Sequence, residues 1–311
     1  MPLELQPDAH GGIPYERLSG CRLCGSGRVC LSEFLSHVPD LERPQDTYSL
    51  LTCSECGLGS TDPFPSRETL ARLYSGGDSS DYEFPAPGFL GRLKDRLAAR
   101  RVRTVARKAR IVPSSVLDFG TGAGRYAAAV LAAFPTAAVT GTDFGAEPPP
   151  GSYFDAHPRL RYRAYDDLIV SGASFDLILA RHVLEHVHDP VAMLRQWLSL
   201  LQPGGVVYVE VPNFASRVAR LVGARWPLWY VPKHLSHFDR RSLRRAIEEG
   251  GGRADIGTCE MPLMGNILAL LTGHSRFDPR FRLPGIVLHP VQVAIEALGR
   301  EGSCLYALIR H

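Results

Sequence analysis

The sequence has no long hydrophobic run, little net charge and far fewer cysteines than a disulfide scaffold. No stretch of about 18 apolar residues occurs in the chain, which excludes a typical membrane-spanning helix. The formal net charge of +3 is too small to indicate a nucleic-acid partner by itself. The N-terminal stretch MPLELQPDAHGG lacks both the basic and the apolar segment of a signal peptide. We therefore expect a cytoplasmic protein whose seven cysteines do not form disulfides.

The length and composition indicate a globular chain with more than one part. Hydrophobic residues make up 45% and charged residues 22% of the 311 residues, which is ordinary for a soluble protein. The sequence pattern divides the chain into a cysteine-containing module (1–74), a linker with a basic helix (75–110) and an α/β domain (111–311).

Four of the seven cysteines form two CxxC pairs near the N-terminus. The pairs are Cys21 with Cys24 and Cys53 with Cys56. Two such pairs, separated by a few tens of residues, are typical of a tetrahedral zinc site, and each is followed by a glycine that lets the chain turn back. Because four thiolates leave no open position on the metal, the sequence predicts a structural zinc in a small zinc-ribbon-like module. Cys30 lies between the pairs and is unpaired in this scheme.

The segment between the module and the main domain combines a flexible composition with a strongly basic one. Residues 75–88 are rich in Gly, Ser and Pro and are interpreted as a linker or lid. Residues 89–110 contain nine basic residues and one acidic residue, with an incomplete apolar stripe. We expect a helix that packs on the main domain with a solvated basic face; an RNA contact is the alternative.

Strands and helices alternate from residue 114 onward, which predicts a mostly parallel sheet with helices on both faces. The predicted helices cover 125–134, a segment that starts at Asp189-Pro190, and 242–251, and Gly204-Gly205 is interpreted as the end of the second. The predicted strands cover 115–120, 137–144, 160–165, 175–180, 206–213 and 303–311.

The stretch VLDFGTGAGRYA places a glycine-rich turn directly after the first of these strands. Its glycines follow Asp118 in a D-x-G-x-G-x-G pattern, which lets a ligand approach the backbone without Cβ clashes. Asp118 can face an ammonium group, and Asp143, at the end of the next strand, can accept hydrogen bonds from two ribose hydroxyls. A P-loop is excluded because no Gly-Lys-Ser/Thr follows, and Arg125 occupies the position where a dinucleotide fingerprint has its third glycine.

Residues 115–213 resemble a class I S-adenosylmethionine-dependent methyltransferase. The resemblance rests on VLDFGTGAG, TGTDF, SFDLILARHVLEHVHDP and LLQPGGVVYVEVPN. With the CRLC and CSEC pairs in front, the chain is similar to bacterial methyltransferases that carry an N-terminal zinc-binding domain, including sugar C-methyltransferases of natural-product pathways. This resemblance implies a Rossmann-like, doubly wound, seven-stranded sheet.

The resemblance also implies which residues hold the cofactor. The glycine turn would hold its methionine part, Asp143 its ribose and Phe144 its adenine, and Asp166 is a candidate for the adenine amine. Arg181 and His182, after the fourth strand, would lie near the methyl group. The implied cofactor site comprises Asp118, Gly120, Thr121, Gly122, Gly124, Asp143, Phe144, Asp166, Arg181 and His182.

Two histidine clusters are candidates for the chemistry. The first is ARHVLEHVHDP, in which His182, Glu185 and His186 are expected on one helical face. The second is WPLWYVPKHLSHFD, where the similar segment of sugar C-methyltransferases has a Tyr-His-Glu-His pattern. His234 matches a histidine of that pattern and is the candidate base, and His237 stands where the pattern continues to a tyrosine. A base is required only where the acceptor has a proton to lose.

The sequence leaves the acceptor open. We expect methyl transfer to oxygen or carbon of a small molecule, in natural-product or surface-saccharide biosynthesis. A zinc-containing RNA methyltransferase and a non-catalytic S-adenosylmethionine-binding protein are the alternatives, and a nicotinamide oxidoreductase is disfavoured by the glycine spacing. Residues 260–299 are apolar but too short to span a bilayer; they are interpreted as a core or substrate cap, with a homodimer face or a membrane-surface contact as alternatives.

Overall fold

The computed structural model of the chain describes residues 15–27, 31–43, 45–75, 84–275, 278–299 and 301–311. Cys30 and residues 76–83 of the predicted linker lie outside the described residues.

Strands and helices alternate from Ser115 to Cys259, as the sequence predicts for the main domain. The strands are β1 (Tyr15–Glu16), β2 (Leu31–Pro39), β3 (Thr47–Cys53), β4 (Gly59–Asp62), β5 (Phe64–Pro65), β6 (Ser115–Phe119), β7 (Ala138–Asp143), β8 (Leu160–Ala164), β9 (Phe175–Arg181), β10 (Leu201–Pro212), β11 (Ser236–His237), β12 (Arg253–Cys259) and β13 (Cys304–Arg310). The helices are α1 (Arg67–Ser75), α2 (Gly88–Ala109), α3 (Arg125–Ala133), α4 (Tyr153–Ala156), α5 (Tyr165–Val170), α6 (Pro190–Ser199), α7 (Arg217–Val222), α8 (Arg240–Glu249), α9 (Met264–Leu271) and α10 (Arg282–Gly299). Short 3-10 helices cover Gly223–Arg225 and Pro279–Phe281.

The described residues of the main domain form a seven-stranded sheet in the order β12-β13-β10-β9-β6-β7-β8. The strands from β10 to β8 run parallel, and β13 is antiparallel to both of its neighbours. This confirms the predicted Rossmann-like α/β sheet. The sequence did not predict β12, whose segment RADIGTC has few apolar residues and is recognisable only from its pairing with β13 over seven positions.

Helices cover both faces of the sheet. Helices α2 and α3 pack on one face, where Val102, Val105 and Val130 are buried against β6 and β7. Helix α6 and helix α8 pack on the other face, with Trp197 and Ile247 in the core. The basic segment before the main domain is therefore a helix that packs on the sheet, as expected.

The predicted end of α6 at Gly204-Gly205 is wrong. The helix ends at Ser199, and both glycines lie inside β10. Gly204 has a φ of +79°, and the register of β10 against β9 shifts between Leu201 and Val206. The glycines therefore form an irregularity in the strand, where a left-handed residue is needed, and they do not terminate the helix.

The N-terminal module forms its own four-stranded sheet in the order β11-β4-β3-β2. Its edge strand, β11, comes from the main domain more than 170 residues later in the chain. The module therefore shares a sheet with the segment that carries the second histidine cluster.

The apolar C-terminal region folds into two helices that pack on each other. A Cβ on Gly285 of α10 would lie 2.6 Å from the Cα of Gly265 of α9, so the two backbones approach too closely for a larger residue. Ile267 is buried against the module-side core, whereas Leu283 and Ile286 of α10 are exposed. Within the described ranges, the helices are all too short or too polar to cross a bilayer.

Candidate active site

The glycine turn after β6 has the backbone conformation that its sequence requires. Gly120, Gly122 and Gly124 have φ values of +70°, +52° and +85°, a region that side-chain-bearing residues avoid. The backbone amides of Gly120 and Thr121 donate to the carbonyl of Thr142 at 2.9 and 3.0 Å. The turn is therefore held against the end of β7 at the carboxyl edge of the sheet, where α/β folds bind ligands.

A buried carboxylate, Asp118, and a partly buried one, Asp143, flank this turn. Asp118 Oδ2 accepts from Thr121 Oγ1 at 2.7 Å, and burial raises the pKa of Asp118 to about 6. Asp143 Oδ2 accepts from the Gly122 amide and its Oδ1 from the Phe144 amide, both at 2.9 Å. Burial also raises the pKa of Asp143. The structure thus brings these predicted cofactor residues together around one turn.

Two aromatic residues directly follow β7 and β8, the two strands beyond the turn in the sheet. Phe144 is 61% exposed, and its ring centroid lies 5.3 Å from that of Tyr165, whose hydroxyl donates to Gln196 Oε1. Tyr165 was not among the predicted cofactor residues, although its place at the end of the third predicted strand is a usable signal. Asp166 is exposed in the first turn of α5, next to Tyr165.

Arg181 is anchored by a buried glutamate that sequence reasoning missed. Its Nε lies 3.2 Å from Glu210 Oε2, and its guanidinium stacks 3.7 Å from the ring centroid of Tyr126. Glu210 is fully buried and also accepts from Arg101 at 2.7 Å and from Tyr208 Oη at 2.9 Å. Arg181 and its neighbouring cations and donors hold the pKa of Glu210 well below its usual range. The sequence signal that could have identified Glu210 is its position as an acidic residue inside the apolar run VVYVEVP.

His182 lies between two carboxylates. Its Nδ1 is 3.2 Å from Glu185 Oε1, and its Nε2 is 3.4 Å from Glu210 Oε1. Although burial opposes the charge, the two carboxylates together raise the pKa of His182 to about 9. The imidazole is therefore a cation at neutral pH.

The expected helical face for His182, Glu185 and His186 is wrong. Residues 182–189 form a turn, and α6 begins only at Pro190, with Asp189 as its N-cap. The cause is local, because His182 has a φ of +53°, which interrupts regular structure directly after β9. The turn nevertheless places all three side chains at the same edge of the sheet.

His234 lies beside this turn. Its ring centroid is 4.5 Å from that of His186, and its Nε2 is 3.9 Å from Glu185 Oε1. Its Nδ1 donates to the carbonyl of Leu228 at 2.9 Å, so Nε2 is the acceptor nitrogen of the neutral ring. Burial holds the pKa of His234 well below its usual range. The side chain is therefore a neutral imidazole whose Nε2 carries no proton.

His237 lies in β11, between the module and the main domain. Thr61 Oγ1 donates to the carbonyl of His234 at 2.6 Å, so His237 Nε2 donates to Thr61 Oγ1 at 2.9 Å. Burial lowers the pKa of His237 to about 3, which keeps the ring neutral. These contacts tie His237 to the module, and its predicted catalytic role stays a prediction.

The four cysteines of the two CxxC pairs lie together. Their Sγ atoms are all within 4.8 Å of one another, with 3.4 Å between Cys21 and Cys56 and 3.7 Å between Cys24 and Cys53. Zinc–sulfur bonds of about 2.3 Å in a tetrahedron require sulfur–sulfur distances of roughly 3.8 Å. The donor set therefore fits one tetrahedral metal ion.

The sequence matches known proteins over the main domain. A family described as "Methyltransferase domain" matches residues 89–252, more than half of the chain. A ubiquinone biosynthesis O-methyltransferase of Parvibaculum lavamentivorans is 37% identical over 92 residues, which cover 29% of this chain and 36% of that protein. The protein of the same name from Azorhizobium caulinodans is 28% identical over 157 residues, 47% of this chain and 60% of that one. The chain thus spans between about a third and three fifths of the length of these two relatives.

Solved structures show weaker similarity. A mitomycin 7-O-methyltransferase has a TM-score of 0.44 and 16% identity, covering 71% of this chain and 55% of that chain. A cyclopropane-fatty-acyl-phospholipid synthase-like protein from Lactobacillus casei has a TM-score of 0.46 and 15% identity, covering 79% and 100%.

Proposed function

The chain belongs to the methyltransferase-domain family, and from that premise we propose that it transfers a methyl group from S-adenosylmethionine to a small-molecule acceptor. The observation that carries the proposal is the pairing of a carboxylate-flanked glycine turn with a neutral histidine at the same edge of the sheet.

The residues around the turn fit the cofactor. A carboxylate offers about four acceptor sites, and Asp143 uses two of them on backbone amides, so two are left for ribose hydroxyls. The exposed ring of Phe144 provides a flat surface for adenine. Asp118, which is buried and still mostly ionised at neutral pH, would face the cationic methionine end. S-adenosylmethionine, when bound, supplies the electrophilic methyl group.

We propose that the acceptor atom is an oxygen and that His234 takes its proton. The relatives in the comparison are named O-methyltransferases, and a hydroxyl must lose its proton when its oxygen accepts a methyl group. His234 offers a neutral Nε2, and Glu185, 3.9 Å away, would stabilise the imidazolium that forms. Carbon methylation by the same base is the alternative.

The test is a pair of variants with a matched control. We expect His234→Ala to lower kcat roughly a hundredfold while S-adenosylhomocysteine affinity, measured by calorimetry, is unchanged. Asp143→Ala should lose that affinity. His157→Ala, which removes an exposed histidine, should behave as wild type. Unchanged turnover in His234→Ala would show that His234 is not the base. Absence of S-adenosylhomocysteine binding by the wild type would rule out the proposed methyl transfer.

We also propose that Cys21, Cys24, Cys53 and Cys56 bind one structural zinc ion. The fit of their sulfur atoms to a tetrahedron supports this, and four thiolates leave no position for a substrate. Metal analysis of the purified protein tests this proposal and should find about one zinc per chain.

A metal-assisted reaction is a second candidate. The ligand atoms of Glu185, His186 and His234 lie within 4.8 Å of one another, and the sequence pattern does not reveal that His234 lies beside the other two. A cation held there would acidify an acceptor hydroxyl. If this is correct, a chelator should lower turnover under conditions where the cysteine-bound zinc stays in place, and an added transition-metal ion that imidazole binds, such as Co²⁺, should restore turnover.

The acceptor and its pathway stay proposals. We propose a hydroxylated natural-product or surface-saccharide intermediate as the acceptor; a nucleic-acid partner is disfavoured by the small net charge, and a homodimer is a further prediction. A methyl-transfer screen with labelled cofactor against such metabolites is the direct test. A salt-sensitive RNA complex would instead support the RNA alternative.

A further inference from the structure

We infer that the N-terminal module positions the candidate base His234, and that Thr61 and Glu42 are the residues through which it does so. The inference rests on the proposed role of His234. It assigns the module a part in the reaction beyond the binding of a structural metal.

Thr61 reaches both sides of the base. It is fully buried in β4, and its hydroxyl donates to the His234 carbonyl at 2.6 Å while accepting from His237 Nε2 at 2.9 Å. Its backbone amide donates to the carbonyl of Leu235 at 3.2 Å. One module residue thus contacts His234, its neighbour and the histidine three positions later.

The backbone pairing extends this contact along the segment. Ser236 pairs with Ser60, and His237 pairs with Gly59, in antiparallel register. A Cβ on Gly59 would lie 2.9 Å from the Cβ of His237, so the two strands are in close contact where they pair. The segment that follows His234 is therefore a strand of the module's sheet.

A second module residue fixes the segment that precedes His234. Glu42 Oε1 lies 2.7 Å from Lys233 Nζ and accepts from Tyr230 Oη at 2.8 Å. Lys233 is 2% exposed, and a buried ammonium group requires such a partner. The Glu42 backbone amide donates to Asp40 Oδ1 at 2.8 Å. This hydrogen bond orders the turn that carries the Glu42 carboxylate.

His234 is thus fixed on both sides by the module, whereas its reactive nitrogen points toward the main domain. Its Nε2 faces Glu185, and His186 Nδ1 donates to the carbonyl of Lys233 at 3.0 Å. Because proton transfer requires hydrogen-bond distance to the acceptor hydroxyl, a shift of the backbone at 234 changes the rate more than it changes cofactor binding.

The experiment compares two conservative changes. Thr61→Val keeps the shape and removes the hydroxyl, whereas Thr61→Ser keeps the hydroxyl and removes one methyl group. We expect Thr61→Val to lower kcat by roughly tenfold to a hundredfold, with unchanged S-adenosylhomocysteine affinity, and Thr61→Ser to restore most of the turnover. If Thr61 had a purely structural role, both variants would have a lower melting temperature, and neither would lose kcat selectively.

The outcomes separate this inference from the proposed function. Wild-type kcat in Thr61→Val, with His234→Ala inactive, would overturn the positioning role and leave the base intact. An active His234→Ala would overturn both the base and its positioning, while cofactor binding by the wild type would keep methyl transfer. If Thr61→Val does not fold, Glu42→Gln is the variant that tests the inference. The Glu42 side chain is 38% exposed, so we expect this variant to fold. A several-fold lower kcat supports the inference and an unchanged kcat overturns it.

Discussion

The glycine turn at 120–124 and the second histidine cluster at 226–239, which we here call the acceptor segment after its proposed role, are held in different ways. The turn is fixed by residues of the next strand, as in the contact of Gly122 with Asp143, 21 positions away. The acceptor segment is fixed by the module, as in the contact of Thr61 with His234, 173 positions away. If His234 is the base, this difference predicts that cofactor binding depends on the main domain and that proton transfer depends on the module as well.

The strongest way to test this comparison is to remove the metal. We expect Cys56→Ser to abolish zinc binding and to lower turnover at least roughly a hundredfold, because the module sheet that holds His234 loses its metal anchor. Cofactor affinity should fall far less, since Asp118 and Asp143 are held within the main domain. Zinc content, kcat and calorimetry on the same preparation measure the three effects.

The matched control for this variant is Cys259→Ser, which changes a thiol outside the cluster and should keep the zinc. Loss of cofactor binding in parallel with turnover in Cys56→Ser would contradict the division between the two regions. It would show that the module supports the whole domain.

A smaller effect is expected at the cofactor turn itself. Asp118 has a pKa of about 6, and a cationic ligand requires its charged form. The dissociation constant for S-adenosylmethionine should therefore rise roughly tenfold between pH 7 and pH 5, as the carboxylate becomes protonated. Asp118→Asn should bind weakly at both pH values. Asp167→Asn, at an exposed position, should keep the wild-type dependence, and a flat wild-type profile would exclude Asp118 as a ligand.

The smallest effect concerns stability. The pKa of His182 is raised from 6.5 to about 9, so its contribution is complete below pH 6.5 and is lost as the pH rises through 9. Urea unfolding should show the free energy of unfolding falling by on the order of 2 kcal/mol over that interval. In His182→Gln this fall should be absent. The same slope in both proteins would assign the titration to another group.

The parts of the fold with local signals could be predicted from the sequence. The glycine pattern after β6 predicted the turn, and the spacing of the CxxC pairs predicted the cysteine cluster. The strands β6, β7, β9 and β13 follow from apolar runs. Strand β12 could not be predicted, because its polar residues are stabilised by pairing with β13 and not by their own burial pattern.

The candidate site divides in the same way. Asp118 and Asp143 could be identified because each follows an apolar strand at the edge where parallel strands end. The contacts of Glu210 with Arg101 and of Thr61 with His234 could not, since each joins segments more than 100 positions apart. Only the folded chain brings such residues together.

The pairing of β11 with the module's sheet also has a consequence for the design of shorter fragments of this chain. A fragment that begins after the module would keep the cofactor turn, but it would present the backbone amides and carbonyls of Ser236 and His237 without the strand that pairs with them in the full chain. Unpaired strand edges promote self-association. The boundary that sequence comparison suggests is therefore a poor place to cut, and a minimal soluble fragment has to include β4.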